Sequence, residues 1–277
     1  MSYSEKEFAD LIKARYQDGK SAKFPGVLNP TVKTILSHKS VRNFLPDPLP
    51  TGALETLMAS ASSASTSSLL QAWAAIIVDV PKHKDAVATL AGNQDFIRQA
   101  PVFFILMVDL YRLARISEKA GIENKAVDKM DMFIMPTLDC GIAGQNIALA
   151  AESLGLGVCY VGAVRNNASE LCDLLKLPPR MMPVFGLAIG EPDESVPNAI
   201  KPRFSADAMF HRNVWNGEKE DEHVAAYDDI LGRFYEDLAK LGRGAWGSFM
   251  AHHFSTDRLD GRENMRRTLE ERGFKLE

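Results

Sequence analysis

Residues 128–162 read "DKMDMFIMPTLDCGIAGQNIALAAESLGLGVCYVG", and the first part of this stretch decides the fold class. From Asp128 to Leu154 apolar and small residues occupy most faces of a helix. A helix apolar all round is buried, so this one belongs in the centre of the molecule. Pro136 predicts a kink or a break near its middle. Gly155 and Gly157 read as the C-cap of the helix, and "GVCYVGA" after them as a strand. Working outward, "AWAAIIVDV" (72–80), "PVFFILMVDL" (101–110) and "MMPVFGLAIG" (181–190) are short apolar runs that predict buried strands. Helical spacing covers Phe8–Tyr16, Thr31–Ser37, a segment opened by Thr51 as N-cap, and "NASELCDLLKL", where Asn167 and Glu170 form a capping-box-like pair. Pro46 and Pro48 stop any continuation of the second helix. From Asp221 onward the chain is mainly helical and much more charged. Strands alternating with helices at unequal spacing predict an α/β or α+β layer fold. The central helix is too apolar for one side of one sheet, so a dimer interface is expected to bury the remainder.

The bulk properties narrow the class. A chain of 277 residues with 46% hydrophobic and 25% charged residues has material for a full core. A net charge of −4 argues against a general nucleic-acid binder. The charged start "MSYSEKEFADLIKARY" has no apolar signal core, and no apolar run approaches the length of a membrane span. Cys140, Cys159 and Cys172 have neither ligand nor disulfide spacing, which fits reduced thiols in a cytoplasm. Gly, Pro and Ser punctuation makes residues 1–30 an extension, ahead of a core over 31–205 and a helical excursion of the same domain over 206–277.

The usual catalytic signatures are missing. The nearest approach to a dinucleotide fingerprint, "GLGVCYVG", has Tyr160 where the third glycine belongs and precedes a strand. No Walker A segment, G-x-S-x-G elbow or H-E-x-x-H pair occurs. His252 and His253 read as surface residues, and Asp228–Asp229 and Glu270–Glu271 as solvated helix faces. Arg258, Arg262, Arg266 and Arg267 read as an exposed helical face.

What remains is a set of donors. "ILSHKSVRNF" (35–44) places His38, Lys39, Ser40 and Arg42 where a helix ends, a concentration suited to a bound anion. Lys201 and Arg203 in "IKPRFS" form a second basic pair able to close on the same anion. "SASTSSLLQAW" adds Ser65, Thr66, Ser67, Ser68 and Gln71, and "LAGNQDF" adds Gln94. Basic residues suit a phosphate, and uncharged donors suit a heterocycle edge or polyol hydroxyls. A phosphorylated ring cofactor satisfies both.

The ordered pieces "SHKSVRNF", "SASTSSLLQ", "LAGNQDFIRQA", "CGIAGQNIALAAESLGLGVCYVGAVRNN", "LLKLPPRMMPVFGLAIGEP" and "KPR" cover roughly Thr31 to Arg203. In this order the chain resembles the oxygen-insensitive nitroreductase and NADPH–flavin oxidoreductase family. The resemblance implies an α+β nitroreductase fold: a central mixed or antiparallel sheet flanked by helices, with a long central helix, in an intertwined homodimer with FMN at the subunit interface. It implies that His38 and Ser40, with Lys39, Lys201 and Arg203, hold the FMN phosphate, and that Arg42 lies near N1 and O2 of the flavin. Thr66, Ser67 and Gln71 would come from the partner subunit. Gln94 would meet the pyrimidine edge, and Tyr160, Val161, Gly162 and Ala163 would pass their backbone over the ring. Arg42 is the catalytic candidate, because hydride arriving at the flavin leaves negative charge that a fixed cation stabilises. Arg165 in "VRNN" and Arg243 in "LGRGAWG" are the candidates for the nicotinamide phosphate. NADPH is the expected reductant, with NADH possible, in a ping-pong exchange with small-molecule acceptors such as nitroaromatics, quinones or free flavins; no metal is called for. Two other readings stand beside it: a flavoprotein of the same fold with other chemistry, such as flavin fragmentation or reductive dehalogenation, and a non-catalytic flavin-binding protein.

Overall fold

The run of residues 102–109 is buried at every position, as a strand covered on both faces must be. In the computed structural model, which describes residues 5–23, 26–238 and 245–277, this run is the second of four strands. The elements are α1 (Glu5–Tyr16), α2 (Pro30–Ser37), α3 (Ala53–Ser62), β1 (Trp73–Val78), α4 (Pro81–Leu90), α5 (Asp95–Gln99) and β2 (Val102–Asp109). They continue with α6 (Tyr111–Ala120), α7 (Asp131–Ser153), β3 (Gly157–Val161), α8 (Ala168–Leu174), β4 (Met181–Gly190), α9 (Ala206–Met209), α10 (Glu220–Asp237), α11 (Trp246–His253) and α12 (Met265–Glu271). The chain divides into two compact units. One contains residues 1–39 and 194–257, the other residues 40–193 and 258–277.

In the sheet unit the strands run β1-β2-β4-β3 with every neighbour antiparallel. A parallel bridge from Ser40 to Val158 adds the mixed element at the β3 edge. Alternation along β2 divides the core. Val102, Phe104 and Leu106 face α7 and α3, while Phe103, Ile105 and Met107 face residues of α4, α5, α8 and α12. The return of the last residues is pinned at Asp128, which pairs with Arg180 at 2.8 Å and Lys275 at 2.6 Å.

Several local expectations change. Helix α7 runs unbroken through Pro136, which lies within its first turns. Gly155, at φ +80°, provides the left-handed residue that ends α7, but Gly157 belongs to β3. Gly52 and not Thr51 is the N-cap of α3, and it makes no side-chain cap. The Asn167–Glu170 box does not form: Asn167 makes no side-chain cap, and its amide donates to the Leu90 carbonyl at 2.7 Å. Asp228 is more than a solvated face residue, since it accepts the Gly247 N–H at 2.8 Å and joins α10 to α11.

The helical unit has a small aromatic core. Phe204 stacks on Tyr227 at 4.3 Å and meets the edge of Trp246 at 5.0 Å. The Tyr227 hydroxyl donates to the Pro202 carbonyl at 3.1 Å, which fixes the segment carrying Lys201 and Arg203.

Candidate active site

In the helical unit one guanidinium assembles the basic residues. Asn29 caps α2 by accepting the Val32 N–H at 2.9 Å, and Pro30 begins the helix, so its end falls at His38. Arg15, in the last turn of α1, donates to the Leu36 and His38 carbonyls at 3.2 and 2.8 Å and to the Lys201 carbonyl at 2.9 Å. The Arg203 N–H donates to the Arg15 carbonyl at 2.9 Å. His38 and Lys201 are therefore held to the same side chain, with Lys39 and Arg203 next to them in sequence. The Lys39 ammonium stands 3.6 Å from Glu194, and that of Lys201 lies over the Tyr235 ring at 5.7 Å. Arg203 is exposed and donates to the Lys201 and Pro202 carbonyls at 3.3 and 3.2 Å.

In the sheet unit the candidate ring contacts gather at the β3 edge. The Val41 N–H donates to the Val158 carbonyl at 2.9 Å, so residues 40–42 run alongside β3. Gly157 makes this approach possible, since a Cβ there would stand 2.8 Å from the Val41 side chain. Arg42 follows on this edge, exposed and with no hydrogen-bond or ion-pair partner among the described residues. Tyr160 packs on Phe185 with 5.1 Å between ring centroids, and burial first, then Glu152, pushes its phenol up. After β3 the chain turns through a 3-10 segment, Gly162–Arg165. The Gly92–Gln94 turn lies against this segment, with the Gly92 Cβ position 3.6 Å from the Ala163 methyl and 3.8 Å from the Gln94 amide nitrogen. Gln94 spends one amide hydrogen on the Ala91 carbonyl at 2.8 Å. Gln94 and Ala163 are thus brought together.

Three candidates have commitments inside the chain. Ser67 gives both its N–H and its hydroxyl to Asp139, at 2.9 and 2.8 Å. Gln71 offers its carbonyl to Arg112 at 2.8 Å. Asp139 is six residues from Gln145, the Tyr160 hydroxyl partner on α7, so Thr66–Gln71 and Tyr160 meet that helix roughly 9 Å apart. Arg165 turns inward: β4 bulges where Leu106 pairs with Phe185 and Met107 with Pro183, which leaves the Val184 carbonyl for the Arg165 guanidinium. Burial first, then the charge of Arg262, holds Arg165 below its ordinary range. Arg243 lies outside the described residues. No group of three or more His, Cys, Asp or Glu suited to a metal ion occurs among the described residues.

The description of the nitroreductase family matches residues 35–191, and that of the family's C-terminal domain matches residues 201–277. The chain belongs to the nitroreductase family. A relative from Bacillus subtilis (strain 168), "FMN reductase (NADPH)", is 36% identical over 213 residues, 76% of this chain and 85% of its own. A "CR(VI) reductase" from Pseudomonas sp. (strain G-1) is 33% identical over 245 residues, 88% of this chain and 98% of its own. The solved structure of NfrA1 nitroreductase from B. subtilis superimposes with a TM-score of 0.83 at 32% identity, covering 89% of this chain and all of that one. The nitroreductase fold expected from the ordered motifs is therefore the fold observed.

For this nitroreductase-family chain, residue reading missed four side chains. Asp139 carried a signal: a carboxylate in an otherwise apolar helix must find donors. Arg15, Arg112 and Arg262 carried none, because arginines near helix ends are common and their partners are remote in sequence. Gly261 packs so closely on the Asn166 carbonyl that a Cβ would collide with it, which carries Arg262 to the Arg165–Asn166 turn.

Proposed function

We propose that this chain is an FMN-dependent oxidoreductase that takes electrons from NADPH and delivers them in pairs to small acceptors such as nitroaromatics, quinones or free flavins. Arg42 carries this reading: a guanidinium exposed and, among the described residues, without a hydrogen-bond or ion-pair partner, directly after the segment that runs alongside β3 at Val158. The bacterial relatives described as FMN and Cr(VI) reductases support it. Each unit taken by itself carries donors suited to part of a phosphorylated flavin. In the helical unit His38, Lys39, Lys201 and Arg203 suit a phosphate. In the sheet unit the Ser40 hydroxyl, Arg42, Gln94 and the backbone of Tyr160–Ala163 suit the polar edge of a ring. When bound, FMN accepts hydride from a nicotinamide and passes two electrons to an acceptor. Arg42 would supply the cation that stabilises negative charge on the reduced ring, the Gln94 amide would orient the ring by hydrogen bonding, and the backbone of residues 160–163 would help hold it. Arg262 offers a guanidinium for the phosphate that distinguishes NADPH from NADH, at the turn where Arg165 is held inward by the Val184 carbonyl.

The working form is a homodimer. Ile134, Leu138 and Ile142 recur at helical spacing along α7 and are 45, 58 and 43% exposed. A stripe of this kind is the mark of a protein interface. Three buried cysteines, Cys140, Cys159 and Cys172, suit a reducing cytoplasm, and no described helix is long and apolar enough to cross a membrane.

The deciding experiment is an anaerobic visible spectrum of the purified protein with FMN, before and after one equivalent of NADPH. Bleaching of the flavin band and its recovery on adding a quinone or nitrofuran are expected. A protein that takes up no FMN, or whose flavin stays oxidised with both NADPH and NADH, would overturn the reading.

A further inference from the structure

The loop from Ser67 to Gln71 has a backbone that its residues do not favour. Ser68, Leu69 and Gln71 have φ of 49°, 55° and 48°, in the left-handed region that disfavours any residue with a Cβ. Leu69, 78% exposed, is displayed at the tip instead of packed. Strained backbone of this kind persists only where its surroundings over-determine it, and it gathers at ligand sites.

Two carboxylates from the core hold the loop. At its entrance Asp139, 1% exposed, accepts the Ser67 N–H at 2.9 and 3.1 Å and the Ser67 hydroxyl at 2.8 Å. At its exit Asp109, 5% exposed, accepts the Arg112 N–H at 3.0 Å and pairs with its guanidinium at 3.0 Å. That guanidinium then donates to the Gln71 carbonyl at 2.8 Å. Asp109 is tied to the same corner through its own N–H, which donates to the Ala72 carbonyl at 2.9 Å. A buried carboxylate is a costly way to stabilise a fold, since well-packed apolar groups do as well. Its return here is a single fixed geometry for an exposed loop.

We propose that Asp139 and the Asp109–Arg112 pair are positioning residues that hold Thr66–Gln71 in advance in the form that receives the flavin. Ser67 is then an anchor whose polar groups face the core, and Thr66, Ser68 and Leu69 are the residues presented. This inference rests on the reading of that loop as part of the cofactor site.

The test compares Asp139→Asn, Ser67→Ala, Ser67→Thr and Arg112→Ala with the wild type in FMN titrations, flavin reduction by NADPH and melting of the FMN-free protein. Asp139→Asn replaces an acceptor oxygen by a donor beside the Ser67 N–H. FMN affinity or reduction rate is expected to fall roughly tenfold in Asp139→Asn and severalfold in Ser67→Ala and Arg112→Ala. Ser67→Thr, which keeps the hydroxyl, should restore most of the loss. The melting midpoint of Ser67→Ala, which keeps the Ser67 N–H on Asp139, should stay near that of the wild type, while Arg112→Ala should lower it because Asp109 loses its cation. If Asp139→Asn does not fold, Ser67→Ala and Arg112→Ala decide the matter. Wild-type FMN binding and reduction in both would overturn the inference, as would losses that track the melting midpoint alone. Arg42→Ala separates the two levels. If it weakens the flavin site while the loop variants do not, only the clamp fails. If none of the variants changes flavin binding or reduction, the site assignment fails with it.

Discussion

The Arg15 guanidinium, 2.8 Å from the His38 carbonyl, is the tie that makes residues before the family core part of the candidate phosphate site. The same group reaches the Lys201 carbonyl at 2.9 Å, so the two basic segments share one support. Arg15→Ala should lower stability by about 2 kcal/mol, the scale of hydrogen bonds from a charged donor. FMN affinity should fall roughly tenfold with it. Urea unfolding and FMN titration of the variant check this, and unchanged FMN affinity would detach Arg15 from the site.

Arg262 lies at the Arg165–Asn166 turn because Gly261 packs on the Asn166 carbonyl. A guanidinium there favours a dianionic phosphate over a bare ribose. Arg262→Ala should raise the KM for NADPH about tenfold and leave that for NADH nearly unchanged, on the scale of about 1.4 kcal/mol per tenfold. Steady-state kinetics with both nicotinamides decide it. Equal changes with the two would mean that Arg262 serves the fold and not the choice of reductant.

Asp128 joins the start of the central helix region to the chain's final residues. Burial pushes its carboxyl up, but hydrogen bonds from Lys275 and Arg180 outweigh that and hold it below the usual 3.8. Stability from a depressed carboxyl is complete above its unfolded-state value and is lost as pH falls through the folded one. Asp128→Asn should therefore be less stable than the wild type at neutral pH, and its melting midpoint should fall less between about pH 5 and pH 2. Parallel curves for the two proteins would remove Asp128 from the acid-sensitive set.

The exposed apolar stripe of α7 gives a direct test of assembly. Leu138, 58% exposed, sits between Ile134 and Ile142 on that stripe. Leu138→Glu places a charge where the proposed partner would pack and should shift the protein from dimer to monomer in light scattering, with FMN retention falling in parallel. A wild-type protein that is already monomeric would sink the interface.

Sequence alone determined the elements whose pattern is local. Uniform apolarity marked α7 and the buried strands, because burial on all sides demands that composition wherever the partners come from. The concentration of charged donors at residues 38–42 was legible for the same reason, since it lies within one short stretch of sequence. The tertiary structure decided what depends on remote partners. Continuity through Pro136, the bulge at Val184 that takes up Arg165, and the Asn167 amide's partner on Leu90 in place of a cap all depend on residues outside the local stretch. The pairing of Ser67 with Asp139 and the gathering of His38 and Lys201 on Arg15 join residues far apart along the chain. A sequence states which groups need a partner; which group answers depends on the distances that only the folded chain creates.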